Sequence, residues 1–326
     1  MSSTLRFALC ILGRLGLLGM LVTGGALAQP LLGEPIRPLP QASGANPARA
    51  ALGRALFYDL RLSRDNNQSC ASCHQLHRGG ADTRALSLGA GGVANRFNTP
   101  TVYNSTFNFR QTWTGRHNTI DGLLEHVISR PTGLASSWVM VASRLTGDEA
   151  MTKQFQAVYG AEAKAENLKD ALGHYLKSLN TPSRFDRYLR GERAAISVDE
   201  KNGYAKFKSF GCVSCHQGIN VGGNMYQRFG AMREPAAGAL IAADQGRFEL
   251  TGREADRRML RVPSLRNVAL TAPYFHNGSV NTLDEAVDAM FKYQLGRDAS
   301  SADKALIVAF LKTLNGEVLP PRGAAP

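Results

Sequence analysis

The strongest constraint on this chain is a five-residue pattern that occurs twice, Cys70-Ala71-Ser72-Cys73-His74 and Cys212-Val213-Ser214-Cys215-His216. Both copies read Cys-x-x-Cys-His. At that spacing two thiols can add across the two vinyl groups of a haem, and the adjacent histidine is held beneath the iron as its proximal ligand. One such pattern can arise by chance. Two of them point to two covalent haems, one on Cys70, Cys73 and His74 and one on Cys212, Cys215 and His216. A zinc site would want more ligands at metal spacing, and a thioredoxin-like site would want a βαβ context.

The fifth cysteine, Cys10, falls in a segment that reads as an export signal. Arg6 and Arg14 supply its positive region, Leu15 to Leu27 its apolar run, and Ala26-Leu27-Ala28 a small-residue cleavage site before Gln29. The run is shorter than the roughly 20 residues of a membrane span, so removal is expected rather than anchoring. Every cysteine of the mature chain then belongs to a haem motif, which leaves no structural disulfide to propose. Haem attachment takes place outside the cytoplasm, so the expected address is the periplasm. The 326 residues, 44% apolar and 20% charged, exclude wholesale disorder and allow one large domain or two ordinary ones. A formal charge of +12 suggests anionic partners or surfaces. With no Lys/Arg run interleaved with aromatics, nucleic acid is not the expected partner. A basic face for docking a redox protein and diffuse solvation charge are the two readings left.

Residues 29–48, rich in Pro, Ala and Gly, read as a linker or extended arm. Leu52, Ala55 and Leu56 fit a helix over Ala48–Asp59, and the polar loop Ser63–Ser69 delivers the first motif. The Gly-rich stretch 79–100 reads as coil able to wrap closely over a haem edge. Asn118 or Thr119 caps a helix through Leu123, Leu124 and Val127. Leu168, Leu172, Tyr175, Leu176 and Leu179 mark an amphipathic helix over 166–180, and Thr181-Pro182 breaks it. The expected division is therefore 49–181 and 182–326. A capping box, Ser197-x-x-Glu200, opens the helix that runs into Cys212. Its Gly203-x-Ala205-x-Phe207 echoes Gly53-x-Ala55-x-Phe57, which suggests two related cytochrome-like units. A second box, Thr282-x-x-Glu285, starts a helix carrying Ala286, Val287, Met290 and Tyr293. The last helix carries Leu306, Ile307, Phe310, Leu311 and Leu314, with Gly316 as its stop. The class is mainly α with long loops.

What lies across each iron separates an electron carrier, with two protein ligands, from an enzyme with an open position. Met290 is one candidate for the second haem. Taken by itself, a methionine on an apolar helix face is core packing, whereas a thioether ligand would raise the potential and make that haem an electron store.

Several segments resemble the bacterial dihaem cytochrome c peroxidases. They are Leu52-Gly-Arg-Ala-Leu-Phe-Tyr-Asp59, Arg61-Leu-Ser63, Asn98-Thr-Pro-Thr-Val-Tyr-Asn104, Trp113-Thr-Gly-Arg116, Val262-Pro-Ser-Leu-Arg-Asn267 and Pro273-Tyr-Phe-His-Asn-Gly278. The resemblance spans essentially the mature chain. It implies two haem domains, an N-terminal haem that meets hydrogen peroxide, and a C-terminal haem that takes electrons from a small cytochrome c or cupredoxin. It further implies Met290 as distal ligand of the C-terminal haem and Trp113 as an electron relay between the haems. Asn98, with the carbonyls of Thr271 and Pro273, matches a calcium site whose hard oxygen donors suit that ion. Members of the family are often homodimers.

The departures from the family are as informative. Ala90 stands where members that need reductive activation place a loop histidine, so an N-terminal haem open at rest is expected. Leu123 stands at the expected pocket glutamine and Gly133 at the expected glutamate, whose task is to move the peroxide proton. His126 and His117, which follows Arg116, are the candidate substitutes, against the alternative of solvent-facing histidines. His77 is expected at the surface, and His276 as a hydrogen-bonding structural residue. Three functions follow: a periplasmic peroxidase; an oxidase of the kind that matures methylamine dehydrogenase, which however carries tyrosine at the position of Met290; and an electron carrier, if His126 or another side chain closes the first iron.

Overall fold

The computed structural model describes residues 29–235 and 245–316. The expected export signal and its cleavage site lie outside the described residues. The chain is mainly helical, as expected, with a single antiparallel strand pair among the described residues, Tyr226–Arg228 with Met259–Arg261. No helix among them is long and apolar enough to cross a membrane.

Two helix pairs organise the molecule. Helix Pro47–Phe57 starts where the Asn46 side chain accepts the amide of Arg49, with Pro47 at its first position. It lies on helix Ala165–Ser178, which buries Leu168, Ala171, Leu172, Tyr175 and Leu176. Helix Val198–Ser209, opened by the expected Ser197/Glu200 box, lies in the same way on helix Ser301–Lys312. At each crossing the helices meet at a glycine. A Cβ on Gly53 would land on the carbonyl oxygen of Ala171, and one on Gly203 on that of Leu306. The Gly-x-Ala-x-Phe echo is therefore a packing requirement met twice, with Phe57 and Phe207 both 2% exposed behind the glycines.

The buried apolar residues fall mainly into two clusters. One gathers Leu52, Phe57, Phe155, Leu168 and Tyr175 among others, and Cys70 packs against it. The other gathers Phe185, Tyr204, Phe207, Phe310 and Leu311, and Cys212 packs against it. Two helices in the first half, Trp138–Thr146 behind a Ser137 cap and Glu149–Tyr159 behind an Asp148 cap, were not read from the sequence. Residues 29–48 make specific contacts: Ile36 and Leu39 are fully buried, and the Leu39 amide donates to Asp186 at 2.7 Å.

Two boundaries differ from expectation. The last helix ends at Lys312 with Thr313 as its cap. Gly316 is not its stop. Its amide donates to Asn267 Oδ1 at 2.8 Å, and a Cβ there would strike the Thr181 carbonyl, so this glycine permits close approach of two strands of chain. The helix opened by Thr282 is regular only over Leu283–Ala289. Met290–Leu295 then forms a π-helical turn, a widening often found at functional positions.

Candidate functional site

The first motif forms a single helical turn, Cys70–Cys73. Ser69 and Ser72 bracket it: the Ser69 amide donates to Ser72 Oγ at 3.0 Å. One turn brings residues three apart to the same side, which is why two thiols at this spacing reach one flat group. Both thiols are free, and burial pushes that of Cys70 up to about 12. The His74 amide closes the turn onto the Cys70 carbonyl at 2.9 Å. Its ring Nδ1 lies 3.2 Å from the Gly80 carbonyl. With the proton on Nδ1 donated there, Nε2 keeps its lone pair, and burial holds the ring neutral. Free paired thiols and an oriented neutral imidazole fit covalent haem with His74 beneath the iron.

The second motif turns after Gly211, which is left-handed at φ +86°, and the His216 amide again reaches the first cysteine's carbonyl, at 3.0 Å. Cys212, Cys215, His216 and Met290 line one cavity. Its other walls include Phe207, Leu283, Val287, Ile307 and Leu311. Burial pushes His216 down to about 4, with the carbonyls of Val221 and Pro263 beside its ring. An apolar cavity that holds two thiols, an imidazole and a thioether has the donor set of a second haem c. The π turn begins at Met290 itself.

Trp113, Asn98, Thr271, Pro273 and His276 line the same cavity. Trp113 Nε1 donates to the Asn98 carbonyl at 2.8 Å, and its ring meets that of His276 edge-on at 6.2 Å. It thus sits between the second cavity and the loop that leads back to the first motif. The Asn98 side-chain amide donates to the carbonyls of Arg84 and Ala85, leaving Oδ1 as a donor atom toward a cation. Among the described residues no group of three or more His, Cys, Asp or Glu side chains could hold a metal. A calcium ion here would therefore rest on neutral oxygens alone. Arg261 is a residue the sequence reading missed. It is 4% exposed, its backbone amide donates to the Trp113 carbonyl at 2.8 Å, and its guanidinium bonds only neutral oxygens, those of Thr112, Asn108 and Val262.

The pocket residues flagged by comparison with the family lie around the first motif. Loop 87–95 runs past it: the Leu88 carbonyl is 3.9 Å from Cys73 Sγ, and the Ala90 amide donates to the Gly133 carbonyl at 2.8 Å. Ala90 is buried. At Gly133 a Cβ would collide with the Val127 carbonyl, so no side chain fits there without backbone movement. Helix Ile120–Ser129, capped by Thr119 rather than Asn118, carries Leu123 and His126. The rings of His117 and His126 lie 4.8 Å apart, and Arg130 Nη1 reaches His126 Nε2 at 3.2 Å. Arg116 is exposed, as is His77. Arg130 was also missed, although its position one turn beyond His126 is a readable signal.

A family model described as di-haem cytochrome c peroxidase matches residues 47–194. The chain is 43% identical over 289 residues to the cytochrome c peroxidase Ccp of Escherichia coli, covering 88% of this chain and 62% of that protein. It is 37% identical to the cytochrome c551 peroxidase of Nitrosomonas europaea, over 94% of this chain and 93% of that one. Among solved structures, a MauG-like protein associated with microbial copper homeostasis superposes with a TM-score of 0.76 at 27% identity, covering 87% of this chain and 94% of that one.

Proposed function

Because the chain belongs to the di-haem cytochrome c peroxidase family, we propose that it is a periplasmic oxidoreductase that reduces hydrogen peroxide to water with electrons from a small cytochrome c or cupredoxin. The two apolar clusters, each with one Cys-x-x-Cys-His motif against it, support reading 49–181 and 182–326 as two haem domains. The observation that carries the assignment of roles is the asymmetry of the two sites. His216 faces a cavity that also holds Met290, a second ligand, whereas Ala90 occupies the loop position beside the first motif and has no atom to bind iron.

Haem iron, when bound, supplies the redox chemistry: it accepts and passes single electrons and, where a position is open, takes up peroxide. The protein's part is positional. His74 is oriented through Gly80, and Met290 is presented by the π turn across from His216. Trp113, tied to Asn98 and braced by the Arg261 amide, lies on the route between the cavities. Asn98, Thr271 and Pro273 supply a calcium site that would stiffen this junction.

The electronic and EPR spectra of the oxidised holoprotein test this reading. One high-spin and one low-spin haem, with donor oxidation on peroxide addition, is the expected result. Two low-spin haems without peroxide turnover would make the protein an electron carrier instead. An open first haem that reacts with peroxide but oxidises a partner protein rather than a small donor would place it with the MauG-type oxidases.

A further inference from the structure

The first haem motif has beside it a cluster that the family's expected side chains do not explain. His117 and His126 stack at 4.8 Å with their planes 43° apart. Arg130 Nη1 lies 3.2 Å from His126 Nε2, and its Nη2 is anchored on Asn95 Oδ1. Asn95 is held in turn by the Thr132 carbonyl at 2.9 Å. His117 Nε2 and Arg130 Nε are buried without a hydrogen-bond partner. No carboxylate joins the group. Glu125, the acid next to His126 in sequence, is turned to Trp138 Nε1 at 2.9 Å and to Lys169.

This composition has a direct electrostatic consequence. Burial and the charges of Arg130, His117 and Arg116 push His126 down to about 4, and burial, Arg116 and Arg130 lower His117 as well. Both rings are therefore neutral bases at neutral pH, held beside two permanent cations. The helix that carries them packs Ile120, Leu124 and Val127 on the cluster that Cys70 also joins. Loop 87–95 connects Cys73 at one end with Asn95, and hence Arg130, at the other. The excluded Cβ at Gly133 means that no acid from that position competes.

We propose that His126 is the acid–base group of the peroxide site at the first haem, with Arg130 and His117 as its positioning residues. This rests on the peroxide-reducing reading above. His126 takes the proton from one oxygen of hydrogen peroxide and gives it to the other as the O–O bond breaks, which releases one water. The remaining oxygen leaves as the second water after taking two electrons from the donor protein and two protons from solvent. Arg130 opposes accumulation of charge on His126 and returns the proton readily, because a cation 3.2 Å away favours the neutral ring.

Cyanide binding to the oxidised holoprotein tests this without turnover, because hydrogen cyanide must lose its proton to bind an open haem. Replacing His126→Leu is expected to slow association at pH 7 by about 100-fold, with haem content and the high-spin signal unchanged. Replacing Arg130→Gln removes one of the charges that hold His126 down. The pH below which association slows is then expected to move upward, which a merely structural arginine would not do. An unchanged rate in His126→Leu, or an unshifted pH profile in Arg130→Gln, overturns the proposal. So does a low-spin first haem that turns high-spin in His126→Leu, since His126 would then be an iron ligand. If the wild type fails to oxidise any donor yet the cyanide results hold, the peroxidase reading fails while the assignment of the base stands.

Discussion

At the residue scale, the two motifs begin as equals and the surrounding side chains separate them. Met290 shares a cavity with His216, and if it is the ligand there, Met290→His should lower the potential of that haem. The fall should be a sizeable part of the roughly 0.8 V that axial ligands command, read by spectroelectrochemical titration. His276 carries a different prediction. It is 3% exposed, wedged between Trp113 and Phe97, and burial pushes it down to about 4. Unfolded, it titrates near 6.5, so the unfolded chain binds the proton first as pH falls. Its contribution is intact above pH 6.5 and is lost between there and pH 4, up to about 3 kcal/mol. Urea unfolding at several pH values should show this fall, and His276→Gln should flatten it.

At the scale of elements, the helix crossings are governed by what a glycine permits. Gly53 sits against the Ala171 carbonyl, so Gly53→Ala should cost about 3 kcal/mol as the two helices are forced apart. Gly173 lies in the partner helix with nothing within 4 Å of its would-be Cβ. There Gly173→Ala should stabilise by about 0.5–1 kcal/mol through helix propensity alone. Opposite shifts in the urea midpoint, for the same substitution on the two helices of one pair, check the account. Equal shifts would mean that propensity rather than packing decides both sites.

At the scale of the whole molecule, one buried ion pair ties distant segments together. Asp186 and Arg266 are both fully buried, with Nη1 and Nη2 bonded to the two carboxylate oxygens at 2.9 and 3.0 Å. Asp186 also accepts the Leu39 amide, and Arg266 donates to the Arg37 carbonyl at 3.2 Å. The N-terminal arm, the helix start at residues 183–186 and the 262–267 turn thus meet at one carboxylate. Asp186→Asn leaves a guanidinium buried without its counter-charge and should cost about 3–5 kcal/mol. Replacing both residues, Asp186→Leu with Arg266→Met, should recover part of that loss, since the penalty belongs to the unpaired charge. Denaturant melts of the holoprotein distinguish the two.

Taken alone, the sequence determined the features whose physics is local. Thiols three residues apart on one turn, capping boxes at Ser197 and Thr282, and apolar stripes at helical spacing depend only on neighbours a turn or so away, and they are legible for that reason. The tertiary structure decided whatever depends on groups far apart in the chain. It placed Met290 in the cavity of His216, 74 residues earlier, and made Gly316 a point of close approach rather than a helix stop. It also gave the Gly-x-Ala-x-Phe echo its meaning and stacked His117 on His126 under Arg130. Periodicity reports which face of a helix is buried, but not which carbonyl, ring or cation will lie against it. Those pairings arise from how the buried faces come together.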